Sequence, residues 1–292
     1  MRNALLGVVC LVVAAQVGDG FLGRWDLTVT AGSTEYPSWL EVTRADGKLA
    51  ARMVGRSGSV QPVEVKIEGD EIVFGSFRGR LAGGRLGGTG TDRQAREVKW
   101  VGVRVVRPPA AQKEPAWGRP VTLFKGKDLG GWTFKDPRGK ECWMVADGAL
   151  VNKPPCPNIL TEQKFRDFKL HVEYNLDAKS NSGVYLRGRY EVQIADSGAR
   201  ELDSHGVGGV YGFLAPKLAA AKPAGEWQAF DITLVGYQVT VVFNGKTIIE
   251  REEIPGITGA ALDSRESEPG PIMLQGDHGR VQFRNIVITP AR

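Results

Sequence analysis

Apolar residues in this chain recur at every second position in short runs that end at turn signals, and no stretch shows the three-to-four-residue period of an amphipathic helix. Residues 168–175 place Leu170, Val172 and Tyr174 on one face and His171, Glu173 and Asn175 on the other, as a half-buried strand requires. The hairpin 183–194 repeats the pattern, with Val184, Leu186, Val192 and Ile194 on one face and Tyr185, Arg187, Glu191 and Gln193 on the other. Such a chain folds into antiparallel sheets that bury one face, and 38 glycines in 292 residues supply the turns. The glycines keep no three-residue period, which excludes a collagen helix. A hydrophobic content of 42% excludes a mainly disordered chain.

The fold class expected is all-β, in two modules. Residues 1–20 combine Arg2, a short apolar run and small residues near Ala15, the pattern of a secretory signal peptide too short to span a bilayer. The protein is therefore expected to be exported, periplasmic or extracellular, with no transmembrane segment. Residues 21–107 alternate strand-like runs with turns such as 45–48 and 68–70, which predicts a small antiparallel β-barrel or sandwich. Its Gly23-x-Trp25 start is similar to that of lipocalin-like barrels. Residues 108–119, rich in proline, read as a semi-rigid linker. Residues 120–292 return to strands, including the Asn244-Gly245 hairpin signal, and predict a two-sheet sandwich.

Charge points to no nucleic-acid partner. The net +5 comes mostly from single arginines scattered through the first third, without a basic run. Export leaves Cys142 and Cys156, which either pair or stay as thiols; the choice depends on a Cα separation that sequence does not contain.

The polar face of the hairpin carries the chemistry. Carboxylates, a guanidinium, a phenol and primary amides supply directed donors and acceptors for sugar hydroxyls, and an aromatic ring offers a platform for a sugar ring. A merely wet sheet face is the competing reading. Two loops add to the set: 203–212 carries His205 and Tyr211 among glycines, and 274–279 brings Gln275, Asp277 and His278 into one turn.

Several segments together resemble one family: LFKGKDLGGW (123–132), WMVADGAL (143–150), NSGVYLR (181–187), YEVQI (190–194) with Asp196, GEWQ (225–228), QGDH (275–278) and FRNI (283–286). Over about 170 residues the chain closely resembles the 3-keto-disaccharide hydrolase domain, also described as a 3-keto-glucoside lyase/hydratase. The resemblance implies a concanavalin-like two-sheet jelly-roll sandwich acting on glycosides oxidised at carbon 3, with a sugar 3-dehydrogenase upstream. A ketone at carbon 3 acidifies the carbon 2 proton, so elimination followed by hydration can cleave the glycoside. Such a site needs a base, an acid and an electrophile on the ketone oxygen. On this chemistry Glu191 or Asp277 is the expected base, His205 or His278 the acid, and Arg187 the group that steadies the enolate. Glu173, Asn181, Tyr185, Gln193, Asp196, Tyr211 and Gln275 are expected to bind hydroxyls. No cofactor is assigned with certainty. A divalent metal held by His205, Asp277, His278 and Glu191 is a further reading, as are conventional glycoside hydrolysis by paired carboxylates and a non-catalytic, lectin-like carbohydrate-binding protein.

Overall fold

The computed structural model describes residues 18–107, 114–196 and 202–292. The expected leader up to residue 17, with its cleavage position, and residues 108–113 of the linker lie outside the described residues.

The N-terminal module is one antiparallel sheet of nine strands: β1 (Gly23–Ala31), β2 (Thr34–Ala45), β3 (Lys48–Val54), β4 (Gln61–Val63), β5 (Val65–Glu68), β6 (Glu71–Phe74), β7 (Phe77–Ala82), β8 (Arg85–Thr91) and β9 (Glu97–Arg104). Their order is β4-β3-β2-β1-β9-β8-β7-β6-β5. Only Glu64 separates β4 from β5, so the chain itself joins the two ends of the sheet and wraps it into a nearly closed barrel. Alternation fills the interior: Trp25, Leu27 and Val29 of β1 meet Phe74 and Trp100, whose rings pack edge to face at 5.3 Å.

The second module is the expected sandwich. Its strands are β10 (Val121–Thr122), β11 (Trp132–Phe134), β12 (Trp143–Ala146), β13 (Ala149–Asn152), β14 (Ile159–Thr161), β15 (Phe168–Leu176), β16 (Asn181–Leu186), β17 (Tyr190–Ala195), β18 (Gln228–Val235), β19 (Gln238–Phe243), β20 (Lys246–Glu253), β21 (Met273–Leu274) and β22 (Val281–Pro290). The larger sheet runs β12-β13-β22-β15-β18-β19-β20, with β10 also paired to β22; the smaller runs β11-β14-β21-β16-β17. Phe168, Tyr174, Phe230 and Phe243 from the larger sheet meet Val184, Leu186, Val192 and Ile194 from the smaller one in a single core. Cys142 and Cys156 are joined by a disulfide, with Cα atoms 5.8 Å apart.

The barrel is seated on the sandwich. Trp39 and Val54, opposite each other on β2 and β3, turn away from the barrel interior and complete the sandwich core. The Trp39 ring packs edge-on to Phe213 at 5.5 Å, and a Cβ on Gly256 would lie 2.3 Å from it, so the close approach needs a bare backbone. Beside this contact the Arg107 guanidinium lies over the Tyr237 ring at 4.0 Å and bonds both Glu266 oxygens at 3.2 and 3.3 Å. Glu266 also faces Asp26 of the barrel, whose carboxyl is pushed up to about 9 by burial and by the Glu266 charge. The described end of the linker follows the sandwich: Trp117 bridges Ala291 and Gly118 N donates to the Pro290 carbonyl at 2.8 Å.

Candidate functional site

The smaller sheet builds the site. On β16 the register sets Gly183 opposite Gln193 and Tyr185 opposite Glu191. On the other side β21 sets Met273 beside Tyr185, and Gln275 N donates to the Gly183 carbonyl at 3.0 Å. One row across the sheet thus reads Gln275, Gly183, Gln193; the next reads Met273, Tyr185, Glu191. The absent side chain at Gly183 makes room for Glu191, because a Cβ there would sit 2.4 Å from Glu191 Oε1.

This face is polar, as its alternation predicts, but it is roofed. β15 alternates buried and half-buried positions, whereas nearly every residue of β16 and β17 is buried on both faces. Loop 206–211 pairs with β17, with Gln193 N bonding the Gly209 carbonyl at 2.9 Å and Tyr211 N the Glu191 carbonyl at 3.0 Å. A second loop brings the Thr258 hydroxyl 3.0 Å from Glu191 N and the Gly259 carbonyl 3.1 Å from the Tyr185 hydroxyl. The barrel adds a third layer through Ala260 N, which donates to the Arg56 carbonyl at 3.1 Å.

Under this roof Glu191 is 5% exposed and its carboxyl lies 2.8 Å from the Tyr185 hydroxyl. Burial pushes it up to about 8, and the Asp277 charge adds to the rise. The shift favours the protonated form near neutral pH. The side-chain oxygens of Gln193 and Gln275 are buried with no hydrogen-bond partner among the described residues, which leaves two acceptors beside Gly183.

A cleft of about 860 Å³ opens next to Gln275. Its walls carry Lys135, Asn158, Asp277 and His278 from the sandwich and Arg56 and Ser57 from the barrel. His278 Nδ1 lies 2.6 Å from Asp277 Oδ1, which orients the ring and leaves Nε2 for other work. Lys135 donates to the Ala260 carbonyl at 3.3 Å. Loss of water between the cleft walls and the Arg56 charge hold it below the ordinary lysine range, although part of its surface meets solvent. Asp136 at the rim is committed to Arg138 and held at about 2.

Of the residues expected from sequence, Glu191, Tyr185, Gln193 and Gln275 come together on the roofed face, and Asp277 and His278 stand at the cleft. His205 lies beside Gln193, whose amide reaches its carbonyl at 3.4 Å; its ring bonds Asp203 at 2.7 Å and meets Tyr211 edge-on at 5.0 Å. Asn181 and Asp196 stand at the far end of the hairpin, where Asp196 accepts from Lys179 N at 2.8 Å.

Arg187 and Glu173 lie elsewhere. Strand β16 ends at Leu186 and Arg187 takes a left-handed φ of 52°, so its side chain leaves the alternation. The guanidinium is buried against the Arg166 carbonyl at 2.6 Å, Asp167 at 2.9 Å and the Gly236 carbonyl at 2.8 Å. Glu173 belongs to the larger sheet and bonds Arg284 at 2.6 Å and Asn285 at 3.0 Å, next to His171 with its partner Asp231. Among the described residues no group of three or more His, Cys, Asp or Glu converges to fit a metal ion. Sequence reasoning missed Lys135, Asn158 and Arg56. Lys135 follows the conspicuous Trp132 by three residues, but nothing local marks it; Arg56 belongs to a module whose contact with the sandwich is invisible in sequence.

The two-sheet sandwich and the barrel thus border a cleft of amides and charged groups, a lining suited to sugar hydroxyls. Residues 119–289 match the profile of the 3-keto-alpha-glucoside-1,2-lyase-like domain, and the chain belongs to that family. A protein from Parabacteroides distasonis ATCC 8503, solved at 2.13 Å and described as a "putative glycosyl hydrolase", is similar at 27% identity over 63% of this chain and 93% of its own, with a TM-score of 0.50. Another from the same organism, solved at 2.00 Å under the same description, is 27% identical over 59% of this chain and 98% of its own, with a TM-score of 0.46. No curated protein matches the chain.

Proposed function

We propose that the protein cleaves 3-keto-glycosides by elimination and hydration in the cleft beside Gln275. The observation that carries this reading is the Asp277–His278 pair, held 2.6 Å apart across the cleft from a lysine of lowered pKa. His278 Nε2 takes the proton from carbon 2, while Lys135 faces the developing enolate oxygen on carbon 3, the role expected of Arg187. The bond from carbon 1 to the leaving oxygen breaks, that oxygen takes a proton from water in the open cleft, and a carbon 1–carbon 2 double bond remains conjugated to the ketone. Water then adds at carbon 1 and a proton returns to carbon 2, so the net result is hydrolysis. Gln275 and Asn158, which line the cleft, serve as hydroxyl partners. Glu191, neutral and beneath the cleft, positions the Tyr185 strand.

The family membership supports a carbohydrate substrate. The disulfide supports work outside the reducing cytoplasm, in keeping with export by the N-terminal leader. The ketone implies an upstream sugar 3-dehydrogenase.

A second reading draws on Glu191 and Asp277, a neutral carboxyl close to a charged one, which is the arrangement conventional glycosidases use. Incubation in D₂O with a 3-keto-glucoside and with its unoxidised parent separates the two. Elimination predicts turnover of the ketone alone, with deuterium at carbon 2 of released 3-keto-glucose. Cleavage of the parent glucoside without exchange at carbon 2 would establish the second reading instead. Saturable binding without product from either compound would leave a lectin-like protein.

A further inference from the structure

The open end of the barrel holds a cavity of about 490 Å³, within the range of ordinary ligand pockets. Tyr36, Met53, Val63, Phe74 and Phe77 form apolar walls, and Arg56 and Arg93 stand at the rim. Neither guanidinium has an ion-pair partner among the described residues; Arg56 lies over the Tyr36 ring at 5.7 Å, whereas the neighbouring Arg96 is closed off by Asp92 at 2.6 Å. Arg56 and Ser57 line both this cavity and the sandwich cleft, so the two are adjacent across a single loop, which the Ala260–Arg56 backbone bond clamps in place.

We propose that the open end of the barrel is the aglycone subsite of the cleft, and that it takes an aromatic group carrying an acidic substituent attached to the sugar below. This deepens the reading of the cleft as a glycoside-cleaving site and rests on it. The division of chemistry follows the two halves of such a molecule. The cleft offers amides and charged groups to hydroxyls. The barrel offers aromatic and aliphatic walls to a flat ring, and two unpaired guanidiniums to a carboxylate. A second sugar in the same position would leave both guanidiniums without an anion and would bury hydroxyls against Phe74 and Phe77.

Two measurements test it. In calorimetric titrations of the full chain, 4-(hydroxymethyl)benzoate is expected to bind saturably and at least about ten-fold tighter than benzyl alcohol, because its carboxylate gains a charge-assisted contact. Arg93→Ala, which leaves Arg56 in place, is expected to reduce that difference several-fold. Gln61→Trp, which fills the mouth on the face shared with Val63, is expected to abolish binding of both. In turnover, the 4-carboxybenzyl 3-keto-glucoside is expected to exceed the methyl 3-keto-glucoside in kcat/KM by ten-fold or more, and the ratio to approach one in Gln61→Trp. Benzyl alcohol and methanol leave with similar ease, so the ratio reports binding. Thermal melts confirm that both variants fold. Absence of saturable benzoate binding, or binding and ratio unchanged in both variants, overturns the proposal. Benzoate binding that responds to the variants, with no turnover of either keto-glycoside, sustains the barrel site and overturns the chemistry assigned to the cleft.

Discussion

The Tyr185 hydroxyl lies 2.8 Å from Glu191 Oε2 and 3.1 Å from the Gly259 carbonyl, two acceptors around one proton. Both contacts are satisfied together when Glu191 is itself protonated, donating to Tyr185 while Tyr185 donates to Gly259. A carboxyl at about 8 in the folded chain and 4.5 when exposed gives the folded state the extra proton between those values. Its contribution is full below pH 4.5 and is lost as pH rises to 8. The Glu191→Gln variant mimics the neutral form, so its stability is expected to fall less than that of the parent between pH 5 and 8. The difference is on the order of 3 to 5 kcal/mol if the whole shift is realised. Thermal or urea unfolding at the two pH values checks this; parallel curves for the two proteins would refute it.

Replacing His278 by alanine removes the proposed base. The expected loss in kcat is about 10² to 10⁴-fold, with the melting temperature little changed, because the residue is exposed on a turn. Asp277→Asn keeps the ring but weakens its orientation, and a smaller loss is expected. Steady-state rates on a 3-keto-glucoside measure both.

Arg187 holds two loops together at the end of β16. Lysine cannot reproduce three contacts made from a planar fork, so Arg187→Lys is expected to cost about 2 to 4 kcal/mol of stability. At a temperature where the variant stays folded, its kcat is expected to match the parent. A large kcat loss in a fully folded variant would restore the enolate role.

Arg107→Ala leaves Glu266 buried opposite Asp26 without its cation, at a cost of roughly 3 to 5 kcal/mol. Because this cluster lies between barrel and sandwich, unfolding of the variant is expected to split into two steps, visible by calorimetry as separate transitions.

Removing the disulfide with Cys142→Ser and Cys156→Ser together is expected to lower stability by about 3 kcal/mol, the value of closing a loop of this size. Pro155, Pro157 and Asn158 of the cleft wall lie beside it, so KM is expected to rise in the double variant as well.

The strand pattern, the two modules and the polar face of the 183–194 hairpin were legible in sequence, because alternation at period two reports which side of a sheet is buried. Arg187 shows where the rule stops: one left-handed residue at a strand end redirects a side chain, and alternation carries no sign of it. Glu173 shows another limit, since a polar face can be read on each strand separately but the sheet it belongs to cannot. Trp39 is the third case. It lies on a strand of the barrel, yet it completes the core of the other module, a contact no local pattern marks.

By itself the sequence determined that this chain is β throughout, that its hairpin carries a row of polar groups, and that its segments 119–289 belong to one family. Only the tertiary structure decided that the polar row is roofed, that Glu191 is buried while Asp277 and His278 stand open, and that the barrel supplies one wall of the cleft. The reason is physical. Local pattern sets which way a side chain points, but burial, and with it charge state and reach, depends on loops and modules that arrive from hundreds of positions away in the chain.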